Sequence, residues 1–117
     1  MERSQLAIII PALNEESTIQ KVIEGASYFG TVILVDDGSS DETGTIAKIL
    51  GAKVIRHHKN KGYDAALNTG FKEACKDGFE YVLTLDADGQ HNTKLITNII
   101  NEFKNGADVV SAIRDRK

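Results

Sequence analysis

Apolar and polar residues alternate along this chain in blocks. Leu6–Pro11 is a nearly continuous apolar run, which reads as a strand buried on both faces and ended by the proline. Asn14-Glu15-Glu16-Ser17 then supplies helix-starting residues, and Ile19, Val22, Ile23 and Ala26 follow at helical spacing up to Gly30. Thr31–Val35 is a second buried strand, running into Asp36-Asp37-Gly38. Ser39 with Glu42 three residues on has the form of a capping box, opening a helix through Ile46, Ala47 and Leu50 to Gly51. Ala52–Arg56 is a third, weaker strand. Asn60-Lys61-Gly62 starts a longer helix, with Ala65, Ala66, Leu67, Phe71 and Cys75 available for its buried side, and Asp77-Gly78 stops it. Tyr81–Leu85 is a fourth strand, rich in β-branched, aromatic and aliphatic residues. Asn92-Thr93 caps a fourth helix carrying Leu95, Ile96, Ile99, Ile100 and Phe103 to Lys104-Asn105-Gly106, and Asp108–Ile113 is a fifth strand.

Strand and helix thus alternate strictly, with short connections. This order predicts an α/β fold, a three-layer α/β/α arrangement with a mostly parallel sheet, in one domain over residues 1–117. In such a sheet ligands bind beyond the carboxyl ends of the strands. The polar residues of interest all lie at such ends: Pro11-Ala12-Leu13-Asn14-Glu15 after the first strand, Asp36-Asp37-Gly38-Ser39 after the second, His57–Gly62 after the third, Asp86–His91 after the fourth and Arg114 after the fifth. Residues scattered in sequence therefore converge on one edge in space.

Composition narrows the function classes. Hydrophobic residues make up 41% and charged residues 26% of the 117, an ordinary globular balance able to bury a core without staples. The formal charge of −3, with no long run of Lys and Arg, gives no electrostatic reason to bind nucleic acid or an anionic membrane. Cys75 is the only cysteine, so no intrachain disulfide can form; a reducing, cytoplasmic setting follows, with Cys75 as a small core or helix residue. Met1–Gln5 is polar and Leu6–Leu13 is too short for a signal peptide, and no segment reaches the roughly 20 apolar residues of a membrane span.

The sharpest chemistry is in Asp86-Ala87-Asp88-Gly89-Gln90-His91. Two carboxylates one residue apart at a strand end call for a cation or strong donors, and oxygen ligands suit Mg²⁺ or Mn²⁺. Gly89 lets the backbone turn and Gln90 adds an oxygen; an exposed Asp-rich turn is the plain alternative. Asp37 can accept from a nucleobase N–H or a ribose hydroxyl, or cap the next helix as an Asx-turn residue. Glu15 can orient a base or ribose, or act as a first-turn acid. Gly62 can bring a helix N-terminus to a phosphate, or simply start the helix. Arg114 can clamp a phosphate, or stand in solvent near the chain end. His57, His58 and His91 lack zinc-site spacing; His91 can help position the metal loop or serve as a hydrogen-bonded histidine.

I-I-I-P-A-L-N-E-E, V-I-L-V-D-D-G-S-S-D-E-T, N-K-G-Y-D-A-A-L-N-T-G and L-D-A-D-G-Q-H occur in one order over nearly the whole chain. Together they resemble glycosyltransferase family 2, in the branch of polyprenyl-phosphate mannosyl- and glucosyltransferases similar to dolichol-phosphate mannose synthase. The resemblance implies a GT-A fold and transfer of a sugar, with inversion, from a UDP- or GDP-sugar to an acceptor, a polyprenyl phosphate, at the cytoplasmic face of a membrane. It implies a nucleotide-sugar site made of Pro11, Ala12, Leu13, Asn14, Glu15, Asp37, Gly62, Asp86, Ala87, Asp88 and Arg114. It further implies Mg²⁺ or Mn²⁺ on Asp86, Asp88 and Gln90, with Asp88 as the catalytic residue. Two positions depart from the family pattern: Ile113 precedes Arg114 where a Ser-Arg pair is usual, and Tyr63-Asp64 replaces small or basic residues. The chain also stops just after the fifth strand, before the family's acceptor-binding half, as an excised N-terminal portion or a shortened protein would.

Three other readings compete. A non-catalytic nucleotide-sugar-binding fragment shares every donor-side residue. A receiver-type phosphoacceptor domain would use Asp36-Asp37 and Asp86, but a whole strand precedes the acidic pair and no Lys follows a later strand. A nucleotidyltransferase would need a Gly-rich loop where Pro11-Ala12-Leu13-Asn14 stands.

Overall fold

The computed structural model describes residues 5–87. The elements are β1 (Leu6–Ala12), α1 (Ile19–Ser27), β2 (Thr31–Asp36), α2 (Thr43–Ile49), β3 (Lys53–Arg56), α3 (Tyr63–Lys76) and β4 (Tyr81–Thr84). The expected fourth helix and fifth strand lie outside the described residues. The four strands are parallel and ordered β3-β2-β1-β4.

Strand alternation sorts the core into two layers. Leu6, Ile8 and Ile10 of β1, with Val32, Leu34 and Leu83, pack beneath Ile19, Ile23 and Ala26 of α1 and Ala47 of α2. Ala7, Ile9, Ile33 and Val35 face the opposite way and meet Ala66 and Ala74 of α3. Helices therefore cover both faces, and β1 is buried throughout, as its unbroken apolar run requires. Each fully buried Ile or Leu here contributes about 1.5–3 kcal/mol relative to exposure.

The element edges depart from the sequence reading for identifiable reasons. Pro11 does not end β1; the strand continues to Ala12, with Pro11 opposite Val35 and Ala12 opposite Asp36. The proline instead ends one ladder. Leu85 N–H donates to the Ile9 carbonyl at 3.0 Å. The next rung of a parallel ladder would run from residue 11 back to Leu85, and proline has no N–H to make it. Pairing with β2 is untouched, since the Ala12 carbonyl accepts from Asp37 N–H at 2.8 Å. Residue 11 is thus where β1 and β4 part.

Residues 15–18 form a turn rather than the first turn of α1, with the Glu15 carbonyl accepting from the Thr18 and Ile19 N–H groups at 3.1 and 2.9 Å. The capping box is absent. Ser39 is buried against the preceding loop, and it is Asp41 that accepts the Thr43 N–H at 3.0 Å ahead of α2. The third strand begins at Lys53, and α3 begins at Tyr63 rather than Asn60.

The buried face of α3 is also rotated from expectation. Ala66, Gly70 and Ala74 face the sheet, whereas Cys75 is exposed and Phe71 is 38% exposed. Small residues win because the helix lies close: a Cβ on Gly70 would sit 2.4 Å from Ile9 Cγ2. Ile9 is β-branched and wholly buried in the central strand, so it has little room to yield. Gly70→Ala should lower unfolding free energy by about 1–3 kcal/mol, read from urea denaturation midpoints. Thr84 should behave in the opposite way. Among the described residues its buried hydroxyl has no hydrogen-bond partner, so Thr84→Val should leave stability unchanged or raise it by about 1 kcal/mol in the same measurement.

Candidate functional site

The order β3-β2-β1-β4 places a topological switch between β1 and β4. The chain leaves β1 through α1 on one face and reaches β4 through α3 on the other. With the ladder broken at Pro11, the carboxyl ends open into a cleft of about 410 Å³. Pro11, Ala12, Leu13 and Glu15 from the end of β1, Asp37 from β2, Asn60, Gly62, Tyr63 and Ala66 from the start of α3, and Asp86 and Ala87 after β4 line it. Acids from the second and fourth strand ends therefore share one cavity.

Asp37 is bonded through both of its carboxylate oxygens. One carboxylate oxygen accepts from Lys61 N–H at 2.9 Å and pairs with His57 Nδ1 at 2.7 Å; the other accepts from Gly62 N–H at 2.9 Å. The carboxylate thus sits at the N-terminus of α3, where backbone donors and the helix dipole favour negative charge. Gly62 has φ of 100°, which a glycine adopts without strain. Burial pushes the Asp37 carboxyl up, but the hydrogen bonds from His57, Lys61 and Gly62 outweigh it and hold it below the usual carboxylate value.

The neighbouring loop is pinned from below. Asp36 is fully buried; it accepts from Ser39 N–H at 2.9 Å and pairs with Arg56 Nη1 at 3.3 Å. Arg56 Nη2 also donates to the Ser39 carbonyl at 2.7 Å. Asn14, expected in the nucleotide set, joins this scaffold. Its N–H donates to Ser39 Oγ and its side-chain carbonyl accepts from Ser40 N–H, both at 2.9 Å. Its φ of 54° is left-handed, a conformation asparagine tolerates better than most residues.

The β4 side is held by hydroxyls. Thr18 Oγ1 donates to the Ala87 carbonyl at 2.7 Å, which leaves α1 without a side-chain cap from that residue. Tyr63 donates its phenol to Asp86 Oδ1 at 3.2 Å, spanning the cleft from α3 to β4. Asp86 is the described member of the expected metal set. Its carboxylate lines the cleft and is a hard oxygen donor of the kind Mg²⁺ or Mn²⁺ takes. Among the described residues no cluster of three or more His, Cys, Asp or Glu side chains forms a cation site. Asp88, Gln90 and Arg114 lie outside the described residues.

Sequence reasoning placed the 57–62 segment at this edge but assigned no site role to His57, Asn60 or Tyr63. Asn60 and Tyr63 line the cleft. His57 is buried at 7% exposure and touches both Asp37 and Thr69. The one sequence signal for it is its place immediately after β3, at the sheet edge that also carries Glu15, Asp37 and Asp86.

The sheet order separates this chain from a receiver domain. Receivers follow the order 2-1-3-4-5, which sets the strands ending in their two acidic positions side by side. Here β1 stands between β2 and β4, so Asp36-Asp37 and Asp86 face each other across a strand.

Comparison with known proteins agrees with this geometry. The family model described as Glycosyl transferase family 2 matches residues 7–117. A dolichol-phosphate mannosyltransferase of Pyrococcus furiosus is 36% identical over 94% of this chain and 33% of its own length. A UDP-N-acetylglucosamine–dolichyl-phosphate N-acetylglucosaminyltransferase of Methanococcus voltae is 38% identical over 83% of this chain and 48% of its own. Among solved structures, glucosyl-3-phosphoglycerate synthase of Mycobacterium tuberculosis with Mn²⁺ and UDP-glucose superposes with a TM-score of 0.70 at 25% identity, over 88% of this chain and 40% of that one. The chain thus spans between a third and a half of the length of these relatives. Among the described residues no helix is long and apolar enough to cross a membrane.

Asp37 gives a pH signature. Its carboxyl is lowered on folding, so its contribution to stability is present above about pH 4, the unfolded value, and is lost as pH falls through the lower folded value. Asp37→Asn should therefore flatten the stability profile below about pH 4, measured by urea denaturation from pH 5 downward, while the native chain loses stability over that interval.

Proposed function

The chain belongs to glycosyl transferase family 2, and from that premise we propose that its cleft holds a nucleoside diphosphate sugar for inverting transfer to an acceptor, a polyprenyl phosphate. One observation carries the reading. Asp37 and Asp86, from strands that are not neighbours, line a single cleft at the switch point of a parallel sheet. Supporting it are the relatives whose names describe transfer to dolichyl phosphate and the superposable fold determined with UDP-glucose and Mn²⁺.

The residues divide the work by chemistry. Pro11, Ala12 and Leu13 offer a largely apolar wall for a nucleobase, and Glu15 and Asp37 offer acceptors for base N–H and ribose O–H groups. A carboxylate has about four acceptor positions and Asp37 uses three on the protein, which leaves capacity for one ligand donor. Asp86, with Asp88 and Gln90, would hold Mg²⁺ or Mn²⁺, and Arg114 would add a phosphate contact. The cation, when bound, supplies Lewis-acid neutralisation of charge on the departing diphosphate. A lipid phosphate acceptor is already anionic, so the chain's task toward it is positioning rather than proton removal. A donor-binding module without turnover uses the same cleft; finding glycosyl transfer to a polyprenyl phosphate separates the two.

Binding of UDP- or GDP-sugars should require Mg²⁺ or Mn²⁺ and be lost with chelator. Asp88→Ala should weaken it by at least about tenfold, since one ligand of the cation disappears. Isothermal titration with each nucleotide sugar tests this, and undiminished binding by the variant would count against the metal assignment.

A further inference from the structure

His57 is nearly buried, belongs to no wall of the cleft, and is engaged at both ring nitrogens. Nδ1 lies 2.7 Å from Asp37 Oδ1 and Nε2 lies 2.8 Å from Thr69 Oγ1. Thr69 in turn sits one helical turn along α3 from Ala65, whose carbonyl its hydroxyl reaches at 3.0 Å. An ionised carboxylate only accepts, so Nδ1 must carry its hydrogen toward Asp37. The threonine hydroxyl adapts to whatever Nε2 presents: it donates to a bare nitrogen, or it accepts from N–H while giving its own hydrogen to Ala65. The Nδ1–H therefore faces Asp37 in either state of the ring.

We propose that His57 is a positioning residue for the nucleotide cleft: it fixes the rotation of the Asp37 carboxylate, and through that carboxylate the Lys61 and Gly62 amides that open α3. This rests on the proposed reading of the cleft and adds a residue to it. The bonded chain runs from α3 through Thr69 and His57 to Asp37, then back to the start of α3 at Lys61 and Gly62. It closes a loop around the 57–62 segment, one end of which forms the cleft wall. Deleting the Nδ1 donor leaves Oδ1 with one fewer bond and frees the carboxylate to turn. Lys61 N–H then loses its acceptor, and Gly62 N–H keeps only Asn60 Oδ1, which it also reaches at 3.0 Å.

Two substitutions separate this role from simple filling of space. Asparagine places an amide nitrogen near the position of Nδ1, whereas glutamine places one near Nε2. His57→Asn should keep Lys61 and Gly62 amide exchange, and UDP or GDP affinity with Mn²⁺, within about threefold of the native chain. His57→Gln should accelerate exchange at those two amides and weaken the nucleotide by about tenfold, the order expected for a lost bond to a buried carboxylate. Thr69→Val leaves the ring in place and serves where either variant folds poorly: it should accelerate exchange at Lys61 and Gly62 but not at 70–74 of α3. Equal effects of Asn and Gln on exchange, or unchanged exchange at Lys61 and Gly62 in Thr69→Val, would overturn the assignment. If the native chain binds neither nucleotide with Mn²⁺, the reading of the cleft fails, while the exchange measurements still decide the role of His57.

Discussion

Two adjacent carboxylates are buried at the carboxyl end of β2, and buried carboxylates must be supplied with donors. Asp36 is 0% exposed and Asp37 is 4% exposed. Leaving either without partners would cost several kcal/mol. Ser39 N–H, three residues on, supplies one donor to Asp36; the others come from segments distant in sequence, Arg56 for Asp36, and His57, Lys61 and Gly62 for Asp37. Satisfying the two acids therefore shapes the rim. It draws the end of β3 and the start of α3 onto the end of β2, and the wall of the cleft is the result.

The cavity itself comes from what is withheld. Proline removes the one N–H that would continue the β1–β4 ladder past Leu85, so the strands separate where the sheet also changes winding direction. Ala66 and Gly70 keep bulk out of the space between α3 and β1, so the helix start can stand beside the gap instead of being pushed off the sheet. Tyr63 and Thr18 then tie the β4 end to α3 and α1 across the opening. Missing hydrogen bonds and missing side chains thus make room, and a few hydroxyls set its width.

Much of the architecture is legible because each strand is an apolar run bounded by turn residues, and that signal depends on local sequence alone. What is not legible depends on distance in space. The direction of α3 turns on the approach of Gly70 to Ile9, 61 residues earlier, so an apolar-looking Cys75 loses its place to Ala74. Ser39 looks like half of a capping box, yet its N–H is claimed by Asp36 and its hydroxyl by Asn14. Pro11 reads as a stop, because sequence shows that a donor is missing but not which neighbour would have received it. For the cleft, position at a strand end finds Pro11, Glu15, Asp37 and Asp86. It also picks out His57 within the 57–62 segment, but not its role, which lies wholly in its partners.

The order of the two acids is itself a consequence of strand geometry. Successive side chains of a strand leave on opposite faces. Leu34 packs in the layer beneath α1 and α2, and Val35 in the layer beneath α3. Continuing that alternation puts Asp36 under α2, where a Cβ on Gly44 would come within 2.6 Å of Oδ2, and puts Asp37 against the start of α3. The same functional group one residue apart therefore meets different surroundings: an arginine and a loop amide on one side, two helix-start amides and a histidine at a cleft on the other. A slip of β2 by one residue would exchange them, and it would also turn Ile33 and Leu34 into the wrong layers. The apolar residues of β2 thus hold Asp37 at the cleft, because no register that buries them correctly can present Asp36 there instead.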